Sequence, residues 1–288
     1  MQTRPFGKTG RSFPILSFGG QRIVDGHNCT EDEAIEIVNT AIDRGIRYFD
    51  TAYVYSRGQA EKRMGKVVKH RRDEMWIATK VFDTTADGAR KQLEESLTRL
   101  QTDHVNEWRF HDVFSYERLD AMTGKGGTLE TALKAREEGL IQNISISGHR
   151  DPQVLIEALN RFPFDSALIA VSALDHFFRS FAEEFLPVAN AKGLATIGMK
   201  VLGLGSLTHE VERSLRYAFS LPLSTVIVGM ESMAQLEQNL AIAESYSPMT
   251  DAERLAFFQD IIPLVKPENM PWKANSWSNP TEWDPIER

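Results

Sequence analysis

Apolar residues recur along the chain in short runs of strand character, separated by stretches where apolar and polar positions repeat with a helical period. The runs are "ILSFGG" (15–20), "IRYFD" (46–50), "MWIATKV" (75–81), "VNEWRFH" (105–111), "IQNISIS" (141–147), "SALIAVS" (166–172), "ATIGMKV" (195–201) and "STVIVG" (224–229). Between them, "TEDEAIEIVNTAIDRG" (30–45) is representative of the helical stretches. Thr30 and Glu33 form a capping box, Ala34, Ile35, Val38, Ala41 and Ile42 share one face, and Gly45 stands where a C-terminal cap belongs. Eight strands alternating with helices require parallel pairing and right-handed crossovers, so the pattern predicts an α/β protein with a (β/α)8 TIM barrel. An open doubly wound sheet is the alternative. It is disfavoured because no strand is followed by Gly-x-Gly-x-x-Gly; "GLGSLT" (203–208) comes nearest and lacks the third glycine.

Two segments fall outside the repeat. The opening "RPFGKTGRSFP" has Gly7, Gly10 and Pro14 as turn punctuation, which predicts a hairpin closing the bottom of the barrel. "TDAERLAFFQDIIPLV" (250–265) reads as one more helix, capped by Thr250 and with Pro263 near its end, followed by a loop tail. The expected organisation is a single domain over 1–288, with the barrel at about 15–245 and a C-terminal extension at about 246–288. The tail carries Trp272, Trp277 and Trp283, which are expected to pack on the barrel as pocket walls. Removing the chain from 271 onward is therefore expected to change substrate preference more than folding.

Composition excludes several classes. The net charge of -7 over 288 residues, with both signs interspersed, offers no basic face for nucleic acid. No apolar run is long enough to span a membrane, the amino terminus lacks the apolar core of a secretory signal, and Cys29 is the single cysteine. These features lead to the expectation of a cytoplasmic protein. His27, His70, His104, His149, His176 and His209 are scattered without metal-ligand spacing, so no metal is expected, and most of them read as surface or loop groups.

Active sites of such barrels lie at the C-terminal ends of the strands. Strand two ends in Asp50, strand three in Lys80 and strand four in His111, and Tyr55 lies in the loop just past Asp50. Singly, an Asp here is a turn acceptor, a Tyr a packing aromatic and a Lys a solvated charge. Together, at three consecutive strand ends, they form a catalytic constellation, since charges at a barrel mouth are costly unless paired. Lys80, held by Asp50, is expected to lower the pKa of Tyr55 from its ordinary value of about 10 and make the phenol a general acid. Period-two alternation also sends Glu107 and Arg109 inward below His111. Either they pair with each other or Arg109 touches Asp50.

The strings "FDTAYVY", "IATK", "RFHDV", "SISGH", "GMKVLG" and "TVIVGMESMAQLEQNL", with the opening "RPFGKTG", resemble the motifs of the aldo-keto reductases in the same order from residue 4 to about 245. The resemblance implies a (β/α)8 barrel and hydride transfer between a nicotinamide dinucleotide, NAD or NADP, and a carbonyl or alcohol. It places that family's catalytic tetrad on Asp50, Tyr55, Lys80 and His111. It further implies that Ser147, with Gly148 beside it, holds the nicotinamide carboxamide, and that Gly203, Gly205 and Ser206 turn backbone N–H groups to the pyrophosphate. Ser232, Gln235, Gln238 and Asn239 would surround the adenosine, with Gly20, Gln21, Gly229 and Glu231 also at the cofactor. The chain departs from the commoner pattern where Gly148 replaces an Asn, where "ALIAVS" replaces a Gln and an Asn on strand six, and where Met199 and Lys200 replace a Tyr under the nicotinamide.

Tyr53, Phe82 and Phe114 are the expected substrate walls, for a small-molecule carbonyl or alcohol whose identity, like the oligomeric state, is not legible. Residues 217–253 contain no Lys or Arg, although NADP-preferring relatives usually carry basic side chains there, so the chain leans towards NAD. Two other functions compete. One is a nucleotide-binding regulatory subunit with this fold; the other is a barrel aldolase or isomerase using Lys80 as a Schiff-base nucleophile.

Overall fold

A computed structural model describes residues 1–274. Its eight strands β3 (Leu16–Gly19), β4 (Tyr48–Asp50), β5 (Trp76–Val81), β6 (Val105–Phe110), β7 (Ile141–Gly148), β8 (Ser166–Ala170), β9 (Ala195–Met199) and β10 (Thr225–Gly229) pair in parallel in chain order, and β10 closes on β3. The eight apolar runs thus become the eight strands of a (β/α)8 barrel. Closure sets Val226 opposite Leu16 and Gly229 opposite Gly19.

The surrounding helices are α1 (Glu31–Asp43), α2 (Gln59–Arg71), α3 (Ala86–Leu100), α4 (Tyr116–Thr123), α5 (Thr128–Glu137), α6 (Pro152–Arg161), α7 (Leu186–Ala191), α8 (Val211–Ser220) and α9 (Met233–Glu244), followed by α10 (Asp251–Ile261). The capping box of α1 forms as expected: Thr30 N–H donates to Glu33 Oε2 at 2.7 Å, and Glu33 N–H donates to Thr30 Oγ1 at 3.3 Å. Its buried face contains Ile37, with Ile35 only partly covered, a shift of the stripe by part of a turn. Thr250 and Glu253 cap α10 in the same way. No helix of the described residues is long and apolar enough to cross a membrane.

The hairpin of β1 (Thr3–Pro5) and β2 (Ser12–Pro14) plugs the N-terminal end of the barrel. Phe6 and Phe13 stand 5.0 Å apart and meet Tyr48 and Trp76 at ring distances of 5.3–6.0 Å. Gly7 is required here: its φ is +53°, and a Cβ would lie 2.5 Å from the backbone nitrogen of Ala195.

The C-terminal segment corrects one expectation. Trp272 and Lys273 are buried, and both donate at 2.9 Å to Oδ1 of Asp175, while Lys273 Nζ also reaches the carbonyl of Arg179 at 2.8 Å. Trp272 therefore packs on the barrel as a structural strap; Trp277 and Trp283 lie outside the described residues. Cutting at 271 would leave a buried carboxylate without its cation, so this part of the tail contributes to folding. Lys273→Ala is expected to lower stability by about 3–5 kcal/mol, the cost of breaking a buried ion pair. Urea unfolding of parent and variant measures it; equal midpoints would refute the strap's contribution.

Candidate active site

The barrel mouth is built on a buried cluster of four charged side chains. Lys80 on β5 and Arg109 on β6 are paired in register, so two cations stand side by side in the barrel interior. Asp50, at the end of β4, separates them: Oδ1 accepts from Lys80 Nζ and Oδ2 from Arg109 Nη1. Arg109 also donates to Glu107 Oε2 at 2.6 Å, to the Tyr48 hydroxyl at 2.6 Å and, through Nε, to Ser145 Oγ at 2.8 Å. Glu107 Oε2 further accepts from Tyr48 at 2.8 Å and from Ser166 at 3.0 Å. Both alternatives left open for Arg109 are realised at once.

Tyr55 sits above this cluster. Lys80 Nζ lies 3.0 Å from its hydroxyl, and also donates to the carbonyl of Thr51 at 2.7 Å. The phenol is aimed by a single 3-10 turn, Tyr55–Gly58, in which Ser56 (φ 47°) and Arg57 (φ 55°) adopt left-handed backbone. Such strain in non-glycine residues costs of order 1 kcal/mol or more each and persists only where surroundings enforce it. The His111 ring stands edge-on to Tyr55 with centroids 5.7 Å apart.

The electrostatics correct the expectation that Lys80 lowers the Tyr55 pKa. Burial pushes the phenol well above its ordinary value, and Asp50 adds to the rise; Arg109 opposes it. Asp50 cancels much of the field of Lys80, so Tyr55 stands ready as a neutral donor. Burial brings Lys80 itself down to about 8, although Asp50 works against that fall. His111 is held neutral by burial and by the charge of Lys80, and its buried Nδ1 has no hydrogen-bond partner among the described residues.

A second pair escaped the sequence reading. His149, one of the scattered histidines to which no role was assigned, is buried, and its Nδ1 meets Asp112 Oδ1 at 2.6 Å; burial keeps its proton affinity below the ordinary imidazole value. It follows β7 directly, so inspection of every strand end would have found it. Ser147 is placed differently from the carboxamide role: fully buried, it donates to the carbonyl of Phe110 at 3.1 Å and accepts from Asp112 N–H at 3.0 Å. Gly148 packs under Leu155.

A cleft of about 510 Å³ runs outward from Asp50 and Tyr55 across His149, Met199, Lys200, Ile227 and Val228. Of the expected cofactor residues, Gln21, Met199, Lys200, Gly205, Gly229, Glu231, Gln235, Gln238 and Asn239 line it. Gly20, Gly203, Ser206 and Ser232 do not. Gly20 packs against Met64 and the carbonyl of Asp50, and Ser232 caps α9 by accepting from Gln235 N–H at 3.3 Å. The 203–206 loop is coiled on itself: Gly203, Gly205 and Ser206 donate their N–H groups to Lys200, Leu202 and Gly203, because three successive left-handed residues, 203 to 205, close it into a 3-10 turn. Those amides are not presented to an anion. Arg22, a cleft residue the sequence reading passed over, stands 3.6 Å from Glu231 and 2.8 Å from His27 Nδ1.

The expected substrate walls separate. Phe82 and Phe114 are exposed at the mouth on either side of Arg118, with Phe82 6.1 Å from the His111 ring. Tyr53 instead turns outward to α3, donating to Glu95 at 2.8 Å under the guanidinium of Arg99.

Comparison with known proteins agrees with this geometry. L-galactose dehydrogenase of Arabidopsis thaliana is 27% identical, over 97% of this chain and 99% of its own length. D-threo-aldose 1-dehydrogenase of Pseudomonas sp. is 26% identical over 73% of this chain and 72% of its own. An aldo-keto reductase of Bacillus halodurans, solved in its holo form, superposes with a TM-score of 0.75 at 24% identity, covering 91% of this chain and 96% of that one, and so shares its fold. With residues 15–217 matching the family as a whole, and with dehydrogenases among its relatives, the chain belongs to the Aldo/keto reductase family of oxidoreductases.

Proposed function

We propose that the protein interconverts a carbonyl and an alcohol with a nicotinamide dinucleotide, Tyr55 serving as general acid in reduction and as general base in the reverse direction. The observation that carries this reading is the 3.0 Å contact from Lys80 Nζ to the Tyr55 hydroxyl at the closed end of the cleft, with Asp50 behind Lys80. The cofactor, when bound, supplies or accepts the hydride. Met199, Ile227 and Val228 offer an apolar floor near Tyr55, and Glu231, Gln235, Gln238 and Asn239 a polar outer end, a donor set that fits a dinucleotide.

At the reacting end, Tyr55 donates a proton to the carbonyl oxygen, and neutral His111 stands beside it as a second donor. Lys80 keeps positive charge next to the phenol and favours its loss of a proton. Lys80 is spoken for by three acceptors, Asp50, the Thr51 carbonyl and Tyr55, which disfavours the Schiff-base alternative. A regulatory subunit would bind dinucleotide without turnover. The sugar dehydrogenases among the relatives point to a small hydroxylated aldehyde or its cyclic hemiacetal. Exposed Phe82 and Phe114 at the mouth, with polar His149 and Lys200 lining the cleft, suit such a molecule, which has both a C–H face and hydroxyl groups. At the outer end the reading leans towards NAD, since Arg22 in the cleft lining is engaged by Glu231 and His27, and Gln235 also hydrogen-bonds Glu231.

Tyr55→Phe is expected to lower kcat for reduction by roughly 10²–10⁴, the worth of general acid catalysis, with dinucleotide affinity nearly unchanged. A panel of aldoses, aldehydes and ketones assayed with NADH and NADPH measures it; a variant within a few-fold of the parent would show that another group is the acid.

Because the ammonium of Lys80 is lost as pH rises through about 8, the reduction rate is expected to be flat below that value and to fall above it. A profile flat well past that pH would remove Lys80 from the proton transfer.

Gln235→Arg is expected to raise the ratio of kcat/KM for NADPH over NADH by about tenfold to a hundredfold, the value of one charge-assisted contact to the 2′-phosphate. A parent already preferring NADPH by ~100-fold, with a ratio the substitution leaves unmoved, would contradict the NAD leaning.

A further inference from the structure

The buried pair Glu107–Arg109 is not part of the tetrad, yet it touches Asp50 directly. A barrel interior is ordinarily filled by apolar side chains, and two fully buried charges on one strand carry a desolvation cost that packing alone does not repay. Arg109 has five N–H donors in a rigid fork, and here they reach Asp50, Glu107, Tyr48 and Ser145. The guanidinium is thereby fixed from several sides, and one of its prongs ends on the oxygen of Asp50 that Lys80 does not use.

We propose that Arg109 is a positioning residue of the reaction: by holding the second oxygen of Asp50 it divides that carboxylate between two cations and so governs how firmly Lys80 keeps the proton it presents to Tyr55. A carboxylate given wholly to Lys80 would neutralise the ammonium and strengthen its hold on the proton. Sharing weakens both effects, and the register neighbour Arg109 adds direct repulsion. The consequence agrees with the fall of Lys80 to about 8, to which burial contributes most, and Arg109 contributes in the same direction. Glu107 is the counterweight that keeps the four-charge cluster neutral, and it draws Arg109 towards the barrel floor with Tyr48 and Ser166.

The other charged groups around Lys80 are accounted for. Glu61 on α2 reaches β5 through Thr79 at 2.6 Å and pulls Lys80 upward, against Arg109. His111 is neutral, Asp112 is paired with His149, and Tyr55 and Tyr48 are uncharged phenols held above their ordinary values by burial. Lys200, across the cleft, is itself brought to about 8 by burial. Among these, Arg109 is the cation in contact with the carboxylate that serves Lys80.

This inference rests on the reading of Tyr55 as the acid. The direct test is titration of Lys80 by the ¹⁵N resonance of its Nζ, assigned through its loss in Lys80→Met and followed in the parent and in Glu107→Leu/Arg109→Met. That double substitution replaces the ion pair by apolar groups of similar size, a change proteins often tolerate. Its Lys80 titration is expected to move up by about one pH unit, a tenfold gain in proton affinity. The falling limb of 4-nitrobenzaldehyde reduction should move with it, with KM little changed. Arg109→Lys, which keeps the charge, should restore the parent's position. Glu107→Gln, the conservative variant that serves if the double one does not fold, releases Arg109 towards Asp50 and should move Lys80 the other way, to lower pH. A folded variant of either kind with the parent's titration overturns the inference, as does a moved titration with an unmoved limb. Failure of the underlying reading is separate: it appears as Tyr55→Phe retaining its rate.

Discussion

Everything at the barrel mouth depends on one carboxylate held between two cations. The parallel register of β5 and β6 puts Lys80 and Arg109 side by side, and like charges so close in a low-dielectric interior repel strongly. Asp50 enters from β4 and satisfies both, and Glu107 balances the second positive charge. Two acids and two bases sum to no net charge, and nearly every polar atom of the cluster is hydrogen-bonded among the described residues, with Glu107 Oε1 the exception. That neutrality is what allows four ionisable groups to be buried together.

The same cluster explains why Tyr55 is a protonated phenol with a cation at its oxygen. Were Lys80 unopposed it would favour a tyrosinate; with Asp50 behind it, burial dominates and the proton stays. A donor that keeps its proton until an alkoxide develops suits carbonyl reduction. The strained turn at Ser56 and Arg57 fixes where that donor points.

Beyond the reacting end, the cleft walls come from segments held by unrelated devices. The self-coiled turn at Gly203–Gly205 meets the C-terminal segment through Ser206 and Asn269. A few residues further on, Lys273 and Trp272 anchor that segment on buried Asp175. Lys200 faces the Trp272 ring with its ammonium 6.0 Å from the centroid. The outer wall of the cleft is thus tied to the strap by short links.

The barrel was legible in the sequence because its signal is local: eight β-rich runs alternating with amphipathic, capped helices admit few topologies. The placement of Asp50, Lys80 and His111 at the barrel mouth was legible because strand ends mark the mouth. Period-two alternation likewise sent Glu107 and Arg109 inward. What they touch depends on the stagger between β4, β5 and β6, a property of closure that no single strand encodes. The same holds for Arg22 beside Glu231, for His149 on Asp112 and for Tyr53 turning to α3: each contact joins residues more than thirty-five positions apart. The direction of the Tyr55 shift is the clearest case. Pairwise reasoning from sequence had a lysine acting on a tyrosine, whereas the folded barrel adds burial and the charge of Asp50, and those terms set the sign against the opposing pull of Arg109. Sequence determined which ionisable side chains stand at which strand ends; tertiary structure decided how the charges divide, because electrostatic energy in a buried site depends on every neighbour at once.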